Sequence, residues 1–91
     1  MVAKMRPMVV VSRNDPKSPR ALALCVPFTT QYRGSQYEVR LGKPKYLREE
    51  SWANVQGLVA VGREKLERRV GQVTAEQLGK IQEALRFVLG L

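Results

Sequence analysis

The order of elements predicts an α+β fold: a small curled antiparallel sheet, or partial barrel, closed by one C-terminal helix. Three observations carry this. Short β-branched and apolar runs occupy positions 7–12, 21–26, 37–41 and 51–61. Polar stretches bearing Pro or Gly separate them. A helical period of apolar residues begins only after Thr74. The 91 residues form one domain, 1–91, which at this size buries somewhat more than roughly 60% of its unfolded surface. Dimerisation would add to that core.

Pro7–Ser12 (Pro-Met-Val-Val-Val-Ser) reads as a buried strand. Arg13–Pro19 is a loop on its turn residues. Ala21–Val26 is a continuous apolar run, a strand covered on both faces. Pro27 lacks a backbone N–H, so the strand should stop or bend there. A hydroxyl-rich loop follows, with a cation at its tip, Arg33-Gly34. Tyr37–Leu41 alternates, with Tyr37, Val39 and Leu41 on one side and Glu38 and Arg40 on the other.

Gly42–Glu50 is a basic loop broken by Gly and Pro. Ser51–Gln56 is a further strand, continued over Gly57–Val61 past a bulge at Gly57. Arg63–Leu66 reads as a single helical turn and Glu67–Val73 as a last short strand. Thr74 followed by Gln77 forms a capping box. Leu78, Ile81, Leu85, Val88 and Leu89 then recur on one helical face, opposite Lys80, Gln82, Glu83 and Arg86. Gly90 ends the helix.

The formal net charge is +8, and it is segregated. Residues 1–48 hold ten basic residues against two acids, Asp15 and Glu38, whereas 49–91 hold six of each sign. The natural partner of the basic half is a polyanion, either nucleic acid or an acidic protein segment. No run is long enough to span a membrane, and no secretory signal is present. The single cysteine, Cys25, excludes an internal disulfide and fits a cytoplasmic setting. It lies in an apolar run and reads as a small buried hydrophobe.

The same composition removes several chemistries. There is no histidine, so imidazole acid–base catalysis is excluded. One cysteine and no histidine leave no zinc cluster. Carboxylates are not grouped, against a two-metal nuclease, and no phosphate-loop or dinucleotide fingerprint occurs. The remaining toolkit is hydroxyls, arginines and one carboxylate, used without metal or cofactor. It suits RNA cleavage, where the 2′-hydroxyl supplies the nucleophile and the protein positions it and stabilises phosphorane charge.

Three segments resemble the MazF/PemK toxins: Arg6-Pro7-Met8-Val9-Val10-Val11-Ser12; Val26-Pro27-Phe28-Thr29-Thr30-Gln31 with Tyr37-Glu38-Val39; and Val55-Gln56-Gly57-Leu58 with Leu66 and Arg69-Val70-Gly71-Gln72-Val73-Thr74. The resemblance spans Arg6 to Leu89. It implies an SH3-like barrel, a homodimer, and a metal-independent, sequence-specific endoribonuclease acting on single-stranded RNA. It also implies inhibition by an acidic antitoxin.

The family's catalytic positions fall on Arg6, which would stabilise phosphate charge, and Thr29, which would bind or polarise a phosphate oxygen. A guanidinium stays protonated at ordinary pH, so Arg6 acts electrostatically. The general base stays unassigned, with Glu38 a candidate by elimination. Thr30, Gln31, Tyr32 and Arg33 either line the RNA groove, Tyr32 stacking a base and Arg33 on a phosphate, or form a solvated loop. Lys43 and Lys45 aid RNA steering from the basic loop. Trp52 reads as core rather than as an RNA platform.

Two departures accompany the resemblance. Five residues precede Arg6, where the family usually places a strand and loop that roof the groove. Val55 stands where some relatives carry Asp before the glutamine. The second leaves no acid–base residue at that position; the first favours, as the alternative, a catalytically impaired member that binds RNA or antitoxin.

Overall fold

A computed structural model describes residues 7–66 and 69–91. Five antiparallel strands form one open sheet: β1 (Met8–Val10), β2 (Leu22–Thr29), β3 (Glu38–Gly42), β4 (Ser51–Asn54) and β5 (Val59–Gly62). A single α-helix, α1 (Ala75–Leu89), closes the described chain, so the architecture is α+β as expected. Two 3₁₀ turns, Val55–Gly57 and Arg63–Lys65, link the later elements.

Strand β2 is the spine. Cys25 pairs with Val10 on one edge and Val59 on the other. The second edge is shared in tandem: β5 covers Leu22–Cys25, and β4 takes over at Phe28 and Thr29. Strand β3 then pairs with β4, giving the order β1-β2-β4-β3 with β5 also on β2.

This tandem pairing explains why Pro27 does not end the strand. The Val11 N–H donates to Leu24 O at 2.9 Å, and the Phe28 N–H reaches Pro7 O at a longer 3.4 Å. Met8↔Pro27 is therefore a pair without mutual hydrogen bonds. The missing N–H of Pro27 faces the other edge, at the gap between β5 and β4, where no ladder bond is lost. Leu22–Thr29 consequently runs as one strand that changes partners at its proline.

The expected bulge at Gly57 is instead the 3₁₀ turn Val55–Gly57. The Asn54 side chain caps it, accepting the Gln56 N–H at 3.1 Å. The turn fills the gap opposite Pro27. A Cβ at Gly57 would sit 2.7 Å from Pro27 Cγ, so only glycine allows this approach.

The core joins one sheet face to one helix face. Val26, Val39, Leu41, Ala53, Val55, Ile81 and Ala84 are its buried members, with Val9, Val11, Phe28, Tyr37, Leu85 and Val88 packed around them. The alternation expected in β3 holds: Val39 and Leu41 are buried and Arg40 is exposed. On α1 the core-facing stripe is Ile81 and Ala84, buried, with Leu85 and Val88 partly buried beside them. Leu89, expected in that stripe, is 56% exposed, since it lies a further helical step around from Ile81.

The capping box is complete: the Gln77 N–H donates to Thr74 Oγ1 and the Thr74 N–H to Gln77 Oε1, both at 3.0 Å. The Gln77 amide also donates to Leu41 O at 3.2 Å, fastening the helix start to β3. Gly90, at φ +74°, takes the left-handed turn that ends α1.

The strand expected over Glu67–Val73 is not formed in its described part, 69–73; Glu67 and Arg68 lie outside the described residues. Val70 is 49% exposed there and has no second apolar residue alternating with it to bury a face. Arg6 also lies outside the described residues. Among those described, no helix is long and apolar enough to cross a membrane.

Candidate active site

The end of β2 leads directly into the site. Thr29 is the last residue of that strand. Its hydroxyl accepts the Gln31 N–H at 3.1 Å, a short-range turn that orients the oxygen. An oxygen accepting in this way keeps its own O–H to donate, and among the described residues it donates to none. The chain then leaves the sheet as loop 30–37 and returns as β3.

Glu38, the first residue of β3, holds that loop. Its carboxylate accepts the Arg33 N–H at 3.1 Å, the Ser35 N–H at 3.2 Å and the Ser35 hydroxyl at 3.1 Å. Desolvation pushes the Glu38 carboxyl upward. The Ser35 and Arg33 N–H groups, the Ser35 hydroxyl and the Arg33 charge outweigh it and hold the carboxyl below the usual carboxylate range. A carboxylate so stabilised is a weak base, and its geometry is that of a loop anchor.

Thr29, Gln31, Arg33, Ser35, Tyr37, Glu38, Asn54 and Gln56 enclose a cleft of about 440 Å³. The Arg33 guanidinium lies 3.4 Å from Gln31 Oε1, beyond a strong hydrogen bond, so the cation is lightly held. The Thr29 hydroxyl, one loosely held cation and several amides therefore converge on one concavity. These are groups suited to a phosphodiester. Among the described residues Glu38 is the one carboxylate lining the cleft, and three donors already engage its oxygens.

The structure divides the residues singled out from sequence. Thr29, Gln31 and Arg33 meet in the cleft. Tyr32 lies on the other side of the loop, its ring stacked on Trp52 with centroids 4.9 Å apart and planes 7° from parallel. Thr30 is exposed and does not line the cleft. Lys43 and Lys45 follow the far end of β3, whereas the cleft lies at its Glu38 end, so they stand apart from it. Pro7, which follows Arg6, is held against Phe28, which precedes Thr29.

Trp52 corrects the sequence reading. Its neighbour Ala53 faces the core, so the indole occupies the opposite face. There it is the cross-strand partner of Thr29 on one side and Arg40 on the other. Asn54 and Gln56 were not expected to line the cleft. The alternation that puts Trp52 and Asn54 on one strand face was the available signal.

Comparisons with known proteins agree with this geometry. The sequence profile of PemK-like, MazF-like toxins of type II toxin–antitoxin systems matches residues 2–89. No curated protein matches the sequence. Among solved structures, the Mycobacterium tuberculosis toxin MazF-mt6 superposes with a TM-score of 0.84 at 23% identity, over 94% of this chain and 87% of that one. An endoribonuclease from a mycobacterial species, solved with its cognate antitoxin, gives 0.81 at 29% identity, over 94% and 82%. MazF in the MazE–MazF complex of Deinococcus radiodurans gives 0.77 at 22% identity, over 94% and 83%. With the profile spanning nearly its whole length and the fold shared, the chain belongs to the PemK-like, MazF-like toxin family of type II toxin–antitoxin systems.

Proposed function

We propose that this toxin is a metal-independent endoribonuclease that cleaves single-stranded RNA at the Thr29 cleft. The observation that carries the reading is the Thr29 hydroxyl, oriented by the Gln31 N–H and free to donate, facing the same cleft as Arg33. The RNA 2′-hydroxyl attacks the adjacent phosphorus, and the 5′-oxygen of the next nucleotide leaves. The products are a 2′,3′-cyclic phosphate and a 5′-hydroxyl.

Thr29 donates to a non-bridging oxygen, where charge builds as the phosphorane forms. Arg33 adds a cation, and Arg6 is assigned the second positive charge through its sequence position beside Pro7. Gln31, Asn54 and Gln56 supply amide donors and acceptors for the sugar and base edges. The donor set supports metal independence: among the described residues the cleft offers one carboxylate, already engaged by three donors.

The remaining expectations follow from family membership and the basic surface. The toxin acts as a homodimer, and an acidic cognate antitoxin, drawn to the basic half of the chain, silences it by occupying the cleft. The endoribonuclease solved with its antitoxin is consistent with this pairing.

The reading is tested by incubating the purified chain with a long single-stranded RNA in EDTA. Discrete fragments ending in 2′,3′-cyclic phosphate are expected. RNA that is bound, with a steep salt dependence, but never cut contradicts it.

A further inference from the structure

Loop 31–36 is a partition. Gln31, Arg33 and Ser35 face the cleft, whereas Tyr32 and Gln36 face a second groove of about 730 Å³ bounded by Trp52, Arg40 and Lys80. Within that groove Trp52 covers one face of the Tyr32 ring. Tyr32 nonetheless keeps 56% of its surface exposed, so its other face is open. Trp52 is also the strand neighbour of Thr29, which sets this aromatic pair immediately beside the hydroxyl assigned to the phosphate.

We propose that Tyr32, backed by Trp52, is a stacking platform for one unpaired nucleobase flanking the phosphate held at Thr29. The proposal rests on the RNA reading of the cleft. Trp52 is the positioning residue: it fixes the Tyr32 ring before RNA arrives, so the base meets a pre-organised face. Stacking needs no particular base edge and therefore adds affinity without adding sequence preference. The groove is also lined by two cations, Arg40 and Lys80, which lie against Glu50 and Glu76, and by two carboxylates, Glu38 and Glu83. A flat, uncharged base suits that balance better than an acidic peptide, which would face both carboxylates.

The test uses the full chain and two probes: a 2′-O-methyl oligoadenylate of about ten nucleotides, which lacks the attacking hydroxyl, and the same sugar–phosphate chain without bases. Affinity is read by anisotropy, and Trp52, the single tryptophan, reports locally by its fluorescence. Wild type should prefer the base-bearing chain and show quenched Trp52 emission with that chain alone. Tyr32→Ala should reduce the preference by about 5–100-fold, and Tyr32→Phe should retain it. Trp52→Phe should retain most of it.

Equal binding of the two probes by wild type, failure to bind either, or an undiminished preference in Tyr32→Ala overturns the platform. So does a Tyr32→Ala variant that weakens only the binding of a Glu/Leu-rich peptide, which would make the ring a protein contact. Cleavage of a long RNA is scored separately. Base-dependent binding without cutting supports the platform and contradicts the catalytic reading; cutting with base-independent binding does the reverse.

Discussion

The Glu38 carboxylate accepts the backbone N–H of Arg33 at 3.1 Å, tying the tip of loop 30–37 to the first residue of β3. Two further donors from Ser35 complete the tie. Glu38→Gln keeps the size but removes the charge, and places an NH₂ group among donors. Charge-assisted hydrogen bonds of this kind contribute about 1.5–3 kcal/mol each at most. RNA cleavage by Glu38→Gln should fall by about 10-fold or more in kcat/KM, since Arg33 loses its position. The sheet and helix should persist in circular dichroism. Unchanged cleavage would show that the loop does not need this anchor.

The same carboxylate sets a pH dependence. Its folded pKa lies below the ordinary 4.5 because the loop donors favour the charged form. A depressed carboxylate contributes stability that is complete above the ordinary value and is lost as pH falls through the lower, folded value. Loop order should therefore hold through neutral and mildly acidic pH and fail only as pH falls below the ordinary 4.5. Trp52 fluorescence, which senses the Tyr32 stack, should report that acid transition, and Glu38→Gln should abolish it.

Gly57 and Pro27 make the closest approach between the 3₁₀ turn and β2. The proline ring cannot swing away from a new methyl 2.7 Å distant. Gly57→Ala should destabilise the protein by about 1–3 kcal/mol, the usual cost of overpacking. Thermal denaturation measures it. By contrast, Gly62→Ala meets only the mobile carboxylate of Glu64 and should cost far less.

The helix start offers a graded pair. Thr74→Ala removes one cap acceptor and should cost about 1 kcal/mol. Gln77→Ala removes both the reciprocal cap bond and the hydrogen bond to Leu41 O. It should cost more than Thr74→Ala in urea denaturation. An equal or smaller loss would mean that the Leu41 link carries no stability.

What was legible in the sequence followed from local rules. The Thr74–Gln77 box, the alternation of Val39 and Leu41, and the turn at Arg63 each depend on residues a few positions apart. Pro27 was misleading because its tolerance depends on β5 ending and β4 beginning opposite it, a fact of pairing between distant segments. The expected strand after Glu67 lacked a buried face.

The candidate site followed the same division. Thr29 at the end of β2 and Gln31 and Arg33 in the loop that follows it reach one cleft. Lys43 and Lys45 share their charge but sit at the far end of the β3–β4 hairpin. Trp52 read as core rather than as an RNA platform, whereas its register opposite Thr29 and Arg40 puts it on the other face. Pairing register, invisible in a single chain, decided each of these.

The central claim is that the Thr29 hydroxyl stabilises charge on the scissile phosphate. Single-turnover cleavage of one RNA by wild type, Thr29→Ala and Thr29→Ser tests it most directly. The account predicts that Thr29→Ala cuts about 10²–10³-fold more slowly, as for loss of one oxyanion donor. Thr29→Ser, which keeps the hydroxyl, should recover most of the rate. Cleavage by Thr29→Ala at the wild-type rate would contradict it.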